Sequence, residues 1–308
     1  MKKILAIVLV FLVVFLSGCN VSEFDENDKN VIVTSFYPVY IFTLNLIDGI
    51  DGVEVFRMAE NNTGCLHDYT LTAKDAKMLS DADVLVINGA GMELFVEDLY
   101  KTVEKLPVID SSEGIELICN DSHAHDHEEE SHAGHDHNHS VNSHIWLSVD
   151  NAKMQVLNIK NGLVKAFPQY ENQISLNCGE YLKRLDALDK QIKENYSVPE
   201  GKRIVTFHRA YDYMARDMGL EIAACIESDD GKEPSTKRLA QLCDEMREQN
   251  IKALFTESDY SGSAADIAAS EIGARVYALN PVLKGEEKLT AYEEIMLENY
   301  RIIYEAVK

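Results

Sequence analysis

Short apolar strand patterns alternate with helix patterns along most of this chain, and this alternation restricts the fold more than any other feature. The segment VIVTS at 31–35 is rich in β-branched residues, and an apolar helical stretch that Pro38 opens follows it. The segment VLVI at 84–87 repeats the design, with a glycine-containing turn and then a helix. Because strands that are joined by helices pair in parallel and are covered on both faces, this half predicts a parallel α/β sheet.

The second half has the same alternation. Strand patterns lie near 203–207, within IKALFTES and within ARVYALNPV, with helix patterns between and after them. Between the halves, the segment 168–197 begins with a proline and predicts a helix roughly 40 Å long at 1.5 Å per residue. Its apolar residues recur at roughly helical spacing: Ile174, Leu176, Tyr181, Leu182, Leu185, Leu188 and Ile192. We therefore predict an α/β fold in which two lobes, each a parallel β-sheet flanked by helices, are joined by one long rigid helix. The lobes are expected at 31–167 and 198–308.

The first 30 residues have the order of a bacterial export and anchoring signal. Two lysines precede an uncharged apolar run at 4–16, which is too short to cross a hydrocarbon core of about 30 Å comfortably. The run ends in Leu-Ser-Gly-Cys, which resembles a lipobox, so we expect residues 1–18 to be removed and Cys19 to be acylated. Residues 19–30 are then a polar tether for an extracytoplasmic protein that is lipid-anchored to the bacterial cell membrane without spanning it. The alternative is an uncleaved anchor helix with an incidental cysteine.

Charge and cysteine content exclude several classes of protein. The chain carries 52 acidic and 29 basic residues, and its formal net charge of -23 argues against binding to nucleic acid or to anionic lipid and favours cations near the surface. Outside the lipobox, the cysteines are odd in number and irregular in spacing: Cys65, Cys119, Cys178, Cys225 and Cys243. No disulfide framework is implied, although a single pair such as Cys225 with Cys243 is left open.

The chain's ten histidines form two groups. Seven of them lie within 17 residues and alternate with carboxylates: His123, His125, His127, His132, His135, His137 and His139. This segment has almost no apolar residues to bury, so we predict a disordered loop at 122–140 that binds several Zn²⁺ ions weakly. The alternative is an acidic loop that is merely solvated.

The other three histidines are His67, His144 and His208, and each lies where a strand pattern meets a helix pattern. In α/β sheets this edge is where ligands bind. Three neutral imidazoles that converge from distant positions suit Zn²⁺, which takes nitrogen ligands in tetrahedral geometry. Taken singly, however, each histidine is more often a capping or hydrogen-bonded residue, and no short metal motif is present.

Six segments carry a resemblance to a known family. They are TSFYPVY, LHDYTLTAKDAKMLSDADVLVINGAGME, SHIWLSVDNAK, FHRAYDYMARDMGL, EPSTKRLAQL and VYALNPV. In this order they resemble the metal-specific solute-binding lipoproteins of ABC transporters, especially the zinc-binding members. The resemblance implies two α/β lobes with one long helix between them, Zn²⁺ held between the lobes, and delivery to a permease that an ATPase drives. We expect the protein to act as a monomer.

The resemblance also implies the ligands. The family's first three ligands carry over to His67, His144 and His208, and manganese or iron relatives typically have a carboxylate at the third position. Imidazole ligands there agree with zinc, whereas oxygen ligands suit Mn²⁺. Some relatives supply a carboxylate just after the last strand, where this chain has Leu283 and Lys284.

The fourth ligand is therefore open. Glu257 in FTESDY is the preferred carboxylate, either as a ligand or as a group that orients a ligand histidine. Glu286, Glu287 or a water molecule are the alternatives.

Three classes of function fit such a metal site. A transport protein needs a tether and no catalytic base, and its cargo can be zinc or, in the alternative, manganese or iron. A zinc hydrolase needs a general base, for which Asp68 or Glu257 can be imagined, but no H-E-x-x-H or comparable motif supports it. A surface adhesin or zinc buffer can coexist with transport. We predict a zinc-transport binding protein that is not an enzyme.

Overall fold

The computed structural model describes residues 29–59, 69, 71–94, 106–119, 141–227, 234–258 and 263–308. The predicted signal, Cys19, His67 and the histidine-rich loop lie outside these residues. Within the described part, no helix of 18 residues or more is apolar enough to cross a membrane.

The first lobe is a four-stranded parallel sheet with the strand order β2-β1-β3-β4. Its strands are β1 (Asn30–Thr34), β2 (Val53–Arg57), β3 (Val84–Ile87) and β4 (Val108–Asp110). Its helices are α1 (Tyr37–Ile47), α2 (Ala73–Ser80) and α3 (Val149–Ala166). The central strand β3 is buried along its whole length, as its uninterrupted apolar pattern predicts.

The second lobe repeats this topology, with the strand order β6-β5-β7-β8 and parallel pairing throughout. Its strands are β5 (Arg203–Thr206), β6 (Glu221–Cys225), β7 (Ala253–Glu257) and β8 (Arg275–Leu279). Its helices are α5 (Asp212–Asp217), α6 (Thr236–Glu248), α7 (Ser263–Ile272) and α8 (Ala291–Val307). The predicted fold class is confirmed. The sequence patterns missed β2, in which polar and apolar residues alternate, and β6, whose centre is two alanines, a residue type with low strand propensity.

The linking helix α4 (Glu171–Asn195) follows a 3₁₀ turn at Pro168–Tyr170. Its buried residues repeat at helical spacing: Ile174, Cys178, Tyr181, Leu185, Leu188 and Ile192. Leu176, which the sequence pattern placed among the apolar positions, is 56% exposed. A residue two positions after Ile174 lies about 200° further round the helix, so it faces away from the side that packs.

The hydrophobic core is continuous between the lobes. One cluster of buried residues includes Ile32 of β1, Leu185 of α4, Leu279 of β8 and Tyr292 of α8. The last helix thus returns from the second lobe to pack against the first lobe and the linking helix. The chain consequently crosses between the lobes twice, once in α4 and once before α8.

The suggested disulfide between Cys225 and Cys243 is not formed. Both cysteines are free, as are Cys119 and Cys178, the other two in the described residues. The Cys225 thiol donates a hydrogen bond to the carbonyl of Phe207 at 3.0 Å, and burial raises its pKa to about 12. Cys243 is buried on α6 within the core of the second lobe.

Candidate metal centre

His144 lies at the carboxyl edge of the first sheet and is only 7% exposed. Asn88, which directly follows β3, donates from its side-chain amide to the carbonyl of Ser143 at 3.0 Å. The hydroxyl of Ser143 donates to the carbonyl of Ala90 at 2.8 Å. The imidazole packs against the indole of Trp146, with ring centroids 5.1 Å apart. Hydrogen bonds between Ser143 and the residues after β3 therefore fix the position of His144 at this edge.

A buried carboxylate organises the same edge. Glu93 accepts hydrogen bonds from the hydroxyl of Ser35 and from the main-chain N–H groups of Asn88 and Gly89, at 2.8, 2.7 and 3.0 Å. Burial raises the pKa of this carboxyl to about 7, although the three donors oppose the shift. Glu93 thereby ties the ends of β1 and β3 together beneath the site.

Asn142 fixes the orientation of the His144 ring. Its Nδ2 donates to the carbonyl of Arg209 at 2.7 Å and to the carboxylate of Asp212 at 2.6 Å, and both partners lie in the second lobe. Its Oδ1 accepts from the main-chain N–H of His144 at 2.9 Å and lies 2.9 Å from His144 Nδ1. Because Oδ1 only accepts, Nδ1 carries the proton and Nε2 keeps its lone pair. One side chain thus connects a candidate ligand to the opposite lobe.

His208 follows β5 at the carboxyl edge of the second sheet, and its imidazole Nδ1 is hydrogen-bonded to the carboxylate of Glu227. The register of β5 and β6 explains this contact. Thr206 pairs with Cys225, and the N–H of Glu227 donates to the carbonyl of Phe207 at 2.8 Å. Two residues beyond the strand pair, His208 and Glu227 therefore lie side by side. Because a carboxylate accepts, the proton of the neutral ring lies on Nδ1, and Nε2 keeps its lone pair.

The two histidines face each other across the lobes. His208 Nε2 lies 3.4 Å from His144 Nε2, and the rings meet edge to face with centroids 5.1 Å apart. Two nitrogen ligands at about 2.0–2.1 Å from a tetrahedral zinc ion lie about 3.3–3.4 Å from each other. The measured separation therefore suits two ligands of one tetrahedral ion.

Neutral rings in these tautomers leave two lone pairs directed toward the same region. Two acceptors at this distance do not hydrogen-bond to each other, so the arrangement favours a cation that both can bind. Imidazole nitrogen is a donor that suits borderline-soft metal ions. The structure therefore assembles two of the three predicted histidine ligands.

The other two predicted ligands, His67 and Glu257, are not assembled with this pair in the residues that the structure describes. His67 lies outside the described residues, which contain no group of three or more His, Cys, Asp or Glu side chains that can hold a metal ion. Glu257 ends β7, at the same sheet edge as His208. Burial, and then the charge of Glu257, raise the pKa of the Tyr211 hydroxyl well above its ordinary value. Glu257 is not grouped with the two histidines in the described residues, so its role stays a prediction.

The two alternative carboxylates after β8, Glu286 and Glu287, are exposed to solvent. The side chain of Glu286 is 79% exposed and pairs with Lys288 at 2.9 Å, while its main-chain carbonyl accepts from the hydroxyl of Tyr37 at 2.6 Å. Glu287 is exposed to solvent.

Sequence reasoning missed Asn142 and Glu227. Glu227 would have been found from a strand at 221–225 beside β5, because the register then places it next to His208. Asn142 lies two residues before His144, and only the tertiary fold shows that it contacts the other lobe.

The sequence of this chain matches the model of a known family. The model of the family ZnuA, described as zinc-uptake complex component A, periplasmic, matches residues 32–306. The chain belongs to the ZnuA family. The predicted resemblance to zinc-binding solute-binding proteins is thereby confirmed, and the ZnuA description is that of an uptake component.

Relatives of this ZnuA-family chain include proteins that are named for zinc. The chain is 32% identical over 281 residues to the high-affinity zinc uptake system protein ZnuA of Bacillus subtilis, covering 89% of this chain and 86% of that protein. It is 31% identical over 310 residues to the zinc-binding lipoprotein AdcA of Streptococcus pneumoniae, covering 99% of this chain and 59% of AdcA. It therefore spans little more than half the length of AdcA.

A solved structure shares the ZnuA-family architecture. The SBP FpvC of Pseudomonas aeruginosa in complex with Ni²⁺ superposes with a TM-score of 0.77 at 27% identity, covering 91% of this chain and 97% of that one. The two-lobed fold described above is thus that of known metal-binding proteins.

Proposed function

We propose that this chain is an extracytoplasmic protein that captures Zn²⁺ between its two lobes and delivers it to an ABC permease for uptake. The observation that carries the proposal is the facing pair of imidazole acceptors, His144 from the first lobe and His208 from the second, 3.4 Å apart. A ligand that both lobes hold is retained while they are together and released when they separate. The names of the zinc-uptake relatives support the same conclusion.

Zinc is favoured over manganese and iron by the chemistry of the donors. The third position of the site is His208, and oxygen-rich sites suit Mn²⁺ better than imidazole does. We propose His67 as a further ligand beside His144 and His208, and Glu257 or a water molecule as the fourth. Transport rather than hydrolysis fits this site, because Glu227 and Asp212 are engaged by His208 and Asn142, and the sequence has no H-E-x-x-H or comparable motif.

The test of this function uses metal competition and a deletion. We expect the mature chain from Asn20, when it is loaded from an equimolar mixture of Zn²⁺, Mn²⁺ and Fe²⁺ and then desalted, to retain mostly zinc by elemental analysis. A variant that lacks residues 122–140 is expected to retain one tight zinc and to lose the weaker equivalents in a titration, because the loop does not include His67, His144 or His208.

A different result would contradict each of these two experiments. Recovery of mostly manganese from the mixture would refute the zinc assignment. Loss of the tight equivalent on deletion would mean that the loop supplies a ligand to the site.

We also propose that the chain is held at the membrane surface by acylation of Cys19, with the permease and its ATPase as partners. The relative AdcA is named a lipoprotein, and the lipobox pattern of this chain supports the same anchor. In a bacterial host, Cys19→Ala is expected to remove acyl label and to move the protein out of the membrane fraction, whereas the control Cys119→Ala stays there. A Cys19→Ala protein that keeps its acyl label would show that the lipid is attached elsewhere.

A further inference from the structure

The two facing histidines are held by different kinds of partner. The Nδ1 of His144 meets the neutral amide oxygen of Asn142, whereas the Nδ1 of His208 meets the carboxylate of Glu227. The side chains of His208 and Glu227 are only 16% and 17% exposed, so water screens this charged contact incompletely. The interaction therefore acts directly on the ring that carries one candidate metal ligand.

The carboxylate has no other described ion-pair partner. The basic side chain on the same strand pair, Arg203, pairs instead with Glu221 at the opposite end of β6, at 2.9 Å. The N–H of Glu227 is bonded to the carbonyl of Phe207, so the backbone holds Glu227 beside His208. Glu227 is consequently placed to serve this ring rather than a neighbouring arginine or lysine.

The charge of a bound metal ion makes the contact between His208 and Glu227 important for metal affinity. The neutral imidazoles of His144 and His208 bring no negative charge to a bound Zn²⁺ ion, and a buried charge is costly unless an opposite charge is close. The segment after β8, where some relatives carry an acidic ligand, has Leu283 and Lys284 in this chain. A carboxylate that hydrogen-bonds to the outer nitrogen of a ligand histidine makes the inner nitrogen a stronger donor.

We propose that Glu227 is a positioning residue that sets zinc affinity through His208. It keeps the proton on Nδ1, directs the Nε2 lone pair toward His144, and supplies through the ring a negative charge that Leu283 and Lys284 after β8 do not provide. This inference rests on the proposed function, because it concerns the affinity of the same site. It also predicts that the second lobe contributes a stronger donor than the first.

Two substitutions separate the charge of Glu227 from its hydrogen bond. Glu227→Ala removes both and is expected to weaken tight zinc binding by about 10–100-fold. Glu227→Gln keeps an oxygen that can accept from Nδ1 and removes only the charge, so its loss is expected to be smaller. Affinity is measured with Zn²⁺ in the full-length chain against a chelator in excess, so that the weak sites of the histidine-rich loop stay empty.

The ring nitrogens of His208 provide a readout that a purely structural role would not change. In zinc-free protein, ¹⁵N chemical shifts are expected to show His208 protonated on Nδ1 in the parent and in Glu227→Gln, and redistributed toward Nε2 in Glu227→Ala. The matched control is Glu221→Gln on β6, the strand that leads to Glu227. It removes the exposed pair with Arg203 and is expected to change neither measurement.

The outcomes distinguish this inference from the function on which it rests. A parent chain that binds no zinc tightly would refute the proposed function. If the parent binds zinc and Glu227→Ala binds it equally well, or if the tautomer of His208 is the same in both, Glu227 does not set affinity in this way.

Discussion

His208→Ala is expected to abolish tight zinc binding, with a loss greater than the roughly 100-fold that removal of an outer hydrogen-bond partner causes. The substitution removes the second lobe's contribution to the facing pair and leaves His144 without its partner across the lobes. Because the ligands act as a unit, the loss in the double variant with His144→Ala is expected to fall well short of the sum of the two single losses. Chelator competition measures the affinity.

Thermal unfolding gives a second measurement of the same substitution. Zinc is expected to raise the melting temperature of the parent, because a ligand that binds only the folded state stabilises it, and this shift is lost in His208→Ala. His139→Ala, in the histidine-rich loop, is the matched control and is expected to keep both the tight site and the shift. A His208→Ala protein with unchanged affinity and an unchanged shift would rule out a site between the lobes.

Trp146→Ala is expected to lower the free energy of unfolding by about 3–5 kcal/mol, which is typical for truncation of a large buried aromatic. Trp146 is fully buried and meets Phe36 edge to face, with ring centroids 5.0 Å apart. Its indole N–H donates to the carbonyl of Pro281 at 2.8 Å, and its own carbonyl accepts from the hydroxyl of Tyr292 at 2.8 Å. The substitution thus leaves a cavity and the unpaired carbonyl of Pro281 at the junction of the lobes.

Chemical denaturation followed by circular dichroism is the appropriate measurement, because Trp146 is the chain's only tryptophan and its removal eliminates the indole fluorescence. Leu176→Ala serves as the control, since that side chain is 56% exposed and its loss is expected to change stability by no more than about 0.5 kcal/mol. A Trp146→Ala protein as stable as the control would mean that the lobes are not held together through this residue.

The sequence predicted the fold from its most regular parts. Strands such as β3, which are buried on both faces, have continuous apolar runs, and the buried face of α4 has a helical period. The edge strand β2 was missed because polar residues alternate with apolar ones in it, and β6 because its central alanines have low strand propensity. The continuous core between the lobes was also not predicted, since the pattern of α8 does not specify which lobe it packs against.

The candidate site was predictable to the extent that its residues follow strands. His144 and His208 were predicted together, although their convergence followed from family resemblance rather than from spacing. Glu227 depended on recognising β6, and the contacts of Asn142 depended on the relative placement of two lobes. Residues that support a ligand from another element have no local signal, because only the folded chain brings them together.

The return of α8 to the first lobe has a consequence for the order of folding. Tyr292 donates to the carbonyl of Trp146 across 146 positions of the chain, and the core cluster that contains both includes β1 near the beginning of the described residues. Contacts between such distant positions form late and slow the folding of a chain. The N-terminal lobe cannot complete its core until the last helix is available, so a chain that emerges N-terminus first stays incompletely folded until its final residues have emerged.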